Sequence, residues 1–116
     1  MELLEILKRM TLAPGLSGWE EPVRVEIEEV AGRLLQGASL DVDELGNLYV
    51  KVGSKPLVAL IAHMDELGFT VKHISTSGLI YFEPVGGWDD RILLGERMVI
   101  YGSGSSLEGL DWKDRA

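Results

Sequence analysis

The sequence contains no cysteine and no long apolar segment. These two absences limit the classes of protein to which the chain can belong. Among its 116 residues there is no Cys, which excludes disulfides and thiolate metal sites and suits a cytosolic protein. No stretch approaches the roughly 18 apolar residues that a membrane span needs. The start, Met1–Glu5, lacks the basic and apolar regions of a signal peptide. We therefore expect a cytoplasmic protein without a membrane partner, and a chain of this length predicts one modest domain or part of a larger one.

Basic residues are also few. The chain has 11 Lys and Arg against 19 Asp and Glu, which gives a formal net charge of −8. A charge of this sign and size repels phosphate backbones, so the composition predicts no nucleic-acid partner. The acidity fits either a solvated surface or a protein that binds metal ions.

Two amphipathic helices are predicted at the start of the chain. Residues 2–11 place leucines at spacings of three and four, and Ala13–Gly15 then ends the helical pattern. Ser17 and Glu20 have the S-x-x-E spacing of a capping box, which predicts the start of a second helix. That helix is expected to end near Gly37, because Gly is the usual residue just past a helix.

Beyond Gly37 the apolar pattern changes from helical to alternating. The continuous apolar run Pro56–Ala62 differs from the alternating segments and predicts a strand buried on both faces. Two helices followed by strands, one of them buried, predict an α/β or α+β domain with a mixed sheet. The other predicted strands cover residues 40–43, 47–52, 68–74, 79–82 and 97–101.

His63 and Asp65 follow directly on the apolar run. Positions i and i+2 of an extended chain lie on the same side, so His63 can offer a ring nitrogen to a divalent ion while Asp65 orients the ring from behind. A strand-end histidine capped by a neighbouring acid for structural reasons is the alternative. The spacing alone leaves both interpretations open.

Two other polar features are predicted to be structural. His73 alternates with Val71 and Phe69, which indicates a half-buried histidine on a strand rather than a ligand. Asp89 and Asp90 follow a Gly-Gly-Trp sequence, and two adjacent carboxylates supply too few oxygens for a calcium site, so they are expected to form a turn.

Four blocks of sequence together support a resemblance to a known family. They are Pro14–Glu21, Asp43–Leu48, Ala62–Phe69 and Val85–Ile100. In this order they resemble the N-terminal part of the TET-type glutamyl or deblocking aminopeptidases, and the resemblance covers residues 1–101. The resemblance implies a dinuclear zinc or cobalt enzyme that removes N-terminal residues from peptides. It also implies an α/β catalytic domain that is interrupted by a small β-barrel domain used for homo-oligomerisation.

The resemblance assigns roles to particular residues. His63 matches the first metal-binding histidine, and Asp65 matches the catalytic-site acid that orients it. An aspartate that bridges both metals is implied after the inserted domain, where Asp111 and Asp114 are the candidates. Asp111 is favoured because Leu110 precedes it as in the family pattern, whereas Asp114 has the following Arg. The alternative is that both carboxylates lie on a disordered tail and bind no metal.

A chain can belong to this family by sequence and still have too few metal ligands to be active. A catalytic zinc ordinarily has three protein ligands, and the family's general base belongs to a Glu-Glu pair that follows the bridging aspartate. The pairs Glu20–Glu21 and Glu28–Glu29 lie in the predicted second helix, before His63 in the chain. Their charges are expected to cap that helix or to lie on its solvated face. We therefore expect this chain alone to bind metal weakly and to be inactive. A non-catalytic β-rich oligomerisation or binding module, such as a shortened scaffold, is the alternative.

The same patterns predict four regions along the chain. Residues 1–74 would form the N-terminal part of the catalytic domain, and residues 75–101 the start of the inserted β-barrel. Residues 102–109 are rich in Gly and Ser, which is typical of a flexible linker or a deletion scar, although a natural surface loop has the same composition. Residues 110–116 would return to the catalytic domain.

Overall fold

The computed structural model describes residues 2–102 and 105–108 of the chain. The described residues form two helices followed by six strands, with a short 3-10 helix at Asp90–Ile92. Contacts divide the chain into two units, Met1–Gly86 and Gly87–Ala116. The elements are α1 (Leu3–Leu12), α2 (Glu21–Leu34), β1 (Ser39–Val42), β2 (Leu48–Lys51), β3 (Gly68–Ile74), β4 (Ile80–Val85), β5 (Val99–Gly102) and β6 (Ser105–Glu108).

A charged side chain of the first helix bonds to two acids of the second. Arg9 of α1 donates from Nε to Glu26 of α2 at 2.7 Å, and its Nη2 also pairs with Glu29. The buried apolar side chains of the described residues belong to α2, where Val23 and Val30 are 5% and 8% exposed. Because burial of one such side chain contributes about 1.5–3 kcal/mol, α2 is the main apolar support of the first unit.

The predicted capping box does not form. α2 begins at Glu21 with Glu20 at the N-cap position and no side-chain cap hydrogen bond. Glu20 instead accepts from the backbone N–H of Gly18 at 2.6 Å, and the Ser17 hydroxyl donates to Asp65. The prediction of a capping box was therefore wrong, because a partner 48 residues along the chain takes the serine hydroxyl. Pro22 lies in the first turn of α2, where the backbone N–H that proline lacks would have no acceptor within the helix.

The strands form three separate antiparallel pairs, β1 with β2, β3 with β4 and β5 with β6. Local turns explain the pairing. Between β1 and β2, the Asp43 carboxylate accepts from the N–H groups of Leu45 and Asn47 at 3.0 and 2.9 Å, and Gly46 has a φ of +87°. These hairpins confirm the alternating patterns. The predicted mixed sheet was wrong for the residues that the structure describes, since each of their sheets has two antiparallel strands.

The apolar run 56–62 is the largest departure from the sequence-based expectation. The structure assigns no strand there, and the side chains of Leu57, Leu60 and Ile61 are 94–97% exposed. A strand buried on both faces needs a hydrogen-bonded neighbour on each side. The described part of the chain provides neither neighbour for this run, so the prediction of a buried strand was wrong.

In the second unit, part of the Gly- and Ser-rich tract is regular. Ser105–Glu108 forms β6 and pairs with β5, with Val99 opposite Glu108, where the composition predicted a flexible linker.

Asp89 accepts from the backbone N–H of Arg91 at 3.1 Å and from its Nη2 at 2.6 Å. Asp89 is thus a turn-forming residue, as predicted. None of the helices in the described ranges has the length and apolarity required to cross a bilayer.

Candidate functional site

The sequence His-Met-Asp-Glu at residues 63–66, which we call the tetrad, lies against the loop between the two helices. The backbone N–H of Glu66 donates to the carbonyl of Gly15 at 2.7 Å, and the N–H of Gly15 donates to Glu66 Oε1 at 3.1 Å. Leu16 and Glu66 also form an isolated parallel bridge. We call this contact between residues 15–17 and 63–66 the site junction. It joins two segments about fifty residues apart without any regular sheet.

Close packing at Gly15 connects the site junction to the apolar support of the first unit. A Cβ at Gly15 would lie 2.8 Å from Val23 Cγ1 and 3.1 Å from the Met64 carbonyl oxygen. Real Cβ atoms are not found at the first of these distances, so the loop can approach α2 and the tetrad this closely only with glycine at this position. The tetrad is therefore positioned by a loop that itself packs on a buried valine.

Three side chains meet at the centre of the site junction. His63 Nδ1 lies 3.1 Å from Asp65 Oδ1, and the other carboxylate oxygen, Oδ2, accepts from the Ser17 hydroxyl at 2.5 Å. The structure therefore brings His63 and Asp65 together as the i, i+2 spacing predicted, although no strand precedes them. Ser17 adds a third group to the pair.

The contacts of His63 determine which of its ring nitrogens carries the proton. Nδ1 lies 3.1 Å from Asp65 Oδ1 and also 3.1 Å from the Asp65 backbone carbonyl oxygen. Both oxygens are hydrogen-bond acceptors, so Nδ1 must be the donor. In the neutral ring Nε2 then keeps its lone pair, which is the form that ligates a metal ion.

The charge distribution of the site junction is that of an ionised acid beside an exposed imidazole. The Ser17 hydroxyl, and to a lesser extent His63, hold the pKa of Asp65 below its usual value by donating hydrogen bonds to the carboxylate. The side chain of His63 is 86% exposed, and that of Asp65 is 39% exposed. Asp65 thus stays charged at neutral pH, and the imidazole is accessible from solvent.

The other candidate residues do not join this cluster in the part of the chain that is described. Asp111 and Asp114 lie outside the described residues. His73 is exposed on β3, where its ring lies 5.9 Å from that of Tyr81, so the expectation of a half-buried histidine was wrong. A bulge between Val71 and His73 disrupts the alternation on which that expectation depended. Over residues 2–102, no group of three or more His, Asp or Glu side chains is arranged to hold a metal ion.

Sequence reasoning missed the roles of Ser17, Glu66 and Gly15 in this arrangement. Ser17 was assigned to a helix cap, and Glu66 had no assigned role. Local spacing contains no signal for a contact between residues 48 or more positions apart. The signal that was available is that both segments belong to the blocks that resemble one family.

Comparison with known proteins identifies that family. A model of the M42 glutamyl aminopeptidase family matches residues 46–111, which is more than half of the chain. The chain belongs to this family. The M42 family consists of aminopeptidases, which are peptide hydrolases.

Individual M42 relatives agree with the family match. A glutamyl aminopeptidase from Lactococcus lactis is 34% identical over 106 residues, which are 87% of this chain and 29% of that protein. A TET aminopeptidase from a marine sediment archaeon, Thaumarchaeota, superposes with a TM-score of 0.82 at 31% identity, over 92% of this chain and 30% of that one. The Pyrococcus horikoshii TET1 peptidase, which can assemble into a tetrahedron or a large octahedral shell, has a TM-score of 0.78 at 38% identity, over 93% and 32%.

These matches confirm a mixed α/β structure of the TET aminopeptidase type for this chain. They also set its extent, because the chain spans less than one third of the length of each of these three M42 proteins.

Proposed function

We propose that this chain provides one part of the metal centre of an M42 aminopeptidase that removes N-terminal residues from peptides. His63 would be the metal ligand, and Asp65 the residue that orients it. The chain by itself would be inactive, because a catalytic zinc needs three protein ligands, and no group of three candidate ligands is found among the described residues.

The arrangement of the His63 ring is the observation that carries this proposal. Two Asp65 oxygens at 3.1 Å engage Nδ1, and none of the described residues engages Nε2 on this side chain, which is 86% exposed. This is the arrangement in which a histidine ligates a metal ion, with one ring nitrogen bonded to an acceptor and the other available. The ionised acid behind the ring is the second partner that metal-ligating histidines commonly have.

The imidazole of His63, with the carboxylate of Asp65 behind it, is a suitable partial set of ligands for a divalent ion. The M42 family is a family of metallopeptidases, and an imidazole nitrogen that is backed by a carboxylate suits zinc or cobalt. A bound divalent ion would supply Lewis acidity, which polarises a carbonyl group and acidifies water. In this chain His63 would hold the ion, Asp65 would hold the ring, and Asp111 would be the bridging ligand, favoured over Asp114.

The remaining expectations belong to the same proposal. Residues 1–74 would be the N-terminal part of the catalytic domain, residues 75–101 the start of the inserted barrel, and residues 102–109 the connection to a returning segment, 110–116. The assembly of the Pyrococcus TET1 peptidase supports homo-oligomerisation. Peptides would be the substrates, and the cysteine-free sequence supports a cytoplasmic protein.

A zinc or cobalt titration tests the proposal. Thermal stability and release of an aminoacyl chromophore are followed for the chain alone and with a separately supplied C-terminal portion of a TET relative. We expect metal to raise the melting temperature of the wild type and of His73→Ala, but not that of His63→Ala. Chromophore release is expected only with the C-terminal portion. Equal metal responses in the two histidine variants would contradict a site at His63.

A non-catalytic β-rich module for oligomerisation or binding is the second candidate. The observation that favours it is the exposed apolar run, in which Leu57 is 97% exposed and Leu60 96% exposed. Exposed apolar groups of this kind are typical of surfaces that associate. Self-association that is insensitive to metal, without any activity after complementation, would favour this candidate.

A further inference from the structure

Ser17 uses its hydroxyl in a way that its sequence context does not predict. It stands in the loop before α2, where a capping role would direct it to a helix N–H, yet it donates to Asp65 Oδ2 at 2.5 Å. That distance is typical of a hydrogen bond from a hydroxyl to a carboxylate. The contact reaches the acid that orients His63.

We propose that Ser17 is a positioning residue of the metal site. By holding Oδ2 of Asp65, its hydroxyl directs Oδ1 toward Nδ1 of His63 and so keeps Nε2 in the form that ligates metal. This inference rests on the proposed function for its biological meaning, but its geometric content can be tested without metal.

The geometry gives the hydroxyl a definite task. A carboxylate can rotate and present either oxygen, or a solvated arrangement, to a neighbour, and Asp65 is 39% exposed to water. The Ser17 hydrogen bond occupies one oxygen and restricts that rotation. With Oδ2 engaged, the remaining oxygen lies 3.1 Å from His63 Nδ1. The side chain of Ser17 therefore acts on the imidazole through the carboxylate.

A purely structural role for Ser17 makes a different prediction. The loop is already joined to the tetrad by the two hydrogen bonds between Gly15 and Glu66 and by the parallel bridge at Leu16. Removal of one hydroxyl should therefore leave the site junction closed. If Ser17 were only another attachment, stability would change and the state of the His63 ring would not.

The first test measures the His63 tautomer in the metal-free chain. Nitrogen-15 NMR of labelled histidine is recorded at about pH 8, where an ordinary imidazole is neutral. We expect the wild type to show Nδ1–H at His63. In Ser17→Ala the ratio of this form to Nε2–H should fall by up to about five-fold, which is the effect of one hydrogen bond. The Asp65 carbonyl oxygen, also 3.1 Å from Nδ1, remains as an acceptor and limits the fall. Ser17→Thr should keep the wild-type ratio. His73 in the same spectrum and Ser54→Ala, in the bend after β2, are the controls.

An unchanged His63 tautomer in folded Ser17→Ala overturns the proposal. A shift that appears equally at His73 also overturns it, because the effect would then be global. If Ser17→Ala does not fold by circular dichroism, Ser17→Cys repeats the test, since the thiol has similar size and is a weak donor.

The second test measures zinc affinity by calorimetry. We expect Ser17→Ala to bind zinc about ten-fold more weakly than wild type, as is usual for loss of a residue that supports a ligand, and Ser17→Thr to restore binding. Equal affinity in wild type and Ser17→Ala would overturn the positioning role. If wild type binds no zinc, the proposed function fails for this chain, and the tautomer measurement still decides whether Ser17 positions His63.

Discussion

Two consecutive segments of the first unit, the apolar run 56–62 and the tetrad 63–66, differ in how they are held by the rest of the molecule. The run contains the residues with the strongest apolar character, yet Leu57, Leu60 and Ile61 are almost fully exposed. The tetrad is polar, yet its backbone and side chains are hydrogen-bonded to the loop at residues 15–17. Hydrophobicity alone therefore does not decide which part of this chain is held in place.

The difference shows what each segment requires from the rest of the molecule. A buried strand requires neighbours along its whole length on two sides, whereas a loop contact requires a few hydrogen bonds and one close approach. The described residues contain the partner of the tetrad and not the partners of the run. The chain can therefore organise the His63 corner of the site while its strongest strand-forming sequence stays unpaired.

Gly15→Val should have the largest effect on the site junction. Its Cβ would overlap Val23 Cγ1 at 2.8 Å and crowd the Met64 carbonyl oxygen, which belongs to the backbone and cannot rotate away. We expect the free energy of unfolding to fall by about 1–3 kcal/mol, as for other overpacked sites. Urea unfolding, followed by circular dichroism, measures it.

Gly32→Ala is the matched control, since a Cβ at Gly32 in α2 meets nothing within 4 Å. It should stabilise the chain by about 0.5–1 kcal/mol, because alanine favours the helix over glycine. Equal effects of the two substitutions would show that the loop does not pack against Val23.

Glu66→Ala should have a smaller effect on the same site junction. It removes the acceptor for the Gly15 N–H, which lies 3.1 Å from Oε1, but keeps the backbone hydrogen bond of residue 66. We expect a loss of about 1 kcal/mol, the usual value for one hydrogen bond. Hydrogen exchange at the Gly15 amide should accelerate. Glu44→Ala, in the exposed turn after β1, should change neither quantity.

Asp43 provides a comparison with a loop that is held locally rather than across the chain. Hydrogen bonds from Asn47 above all, and also from Tyr49 and the Leu45 N–H, lower the pKa of Asp43. Because the pKa is lower in the folded state, this stabilisation is complete above the unfolded pKa of about 4 and is lost as the pH falls through the folded value. Asp43→Asn should therefore lose part of the acid dependence of unfolding, with a smaller total effect than Glu66→Ala.

Unfolding of wild type and Asp43→Asn at several pH values below about 5 measures this difference. Asp41→Asn, on the neighbouring strand, removes the same formal charge and should leave the acid dependence closer to wild type. An identical acid dependence in wild type and Asp43→Asn would show that the Asp43 turn does not contribute.

Lysine substitutions in the apolar run should have the smallest effect on stability. Leu60→Lys with Ile61→Lys replaces side chains that are 96% and 94% exposed, so we expect the free energy of unfolding to change by no more than about 0.5 kcal/mol. Self-association should decrease, because charges oppose edge-to-edge pairing of exposed apolar segments. Sedimentation velocity measures association. A large loss of stability would show that the run is packed and would remove the contrast with the tetrad.

The local elements of the fold could be predicted from the sequence because their partners are close along the chain. Residues 68–74 alternate and form β3 with the predicted bounds, and Ser75–Gly78 forms the turn before β4. The first hairpin and β5 were predicted in the same way. Each depends on interactions within about twenty residues, which is the range that periodicity and turn residues report.

The candidate site could be predicted only in part, for a related reason. The pairing of His63 with Asp65 follows from a spacing of two residues, and the structure contains it. The contact of Ser17 with Asp65 spans 48 residues, and local spacing suggested a competing partner for the same hydroxyl. The run 56–62 failed as a buried strand because its sequence reports apolar character but not whether neighbouring strands are available.

The site junction also has a consequence for the order of folding. The hydrogen bonds from residues 15–17 to residues 63–66 close a loop that contains α2 and the first hairpin, whereas each hairpin closes only a short turn. Hairpins form in about 1–10 μs, and the entropy cost of closure rises with the length of the loop. The long-range contact should therefore form after these hairpins, so the orientation of the His63 ring becomes a kinetic reporter of the completed site junction.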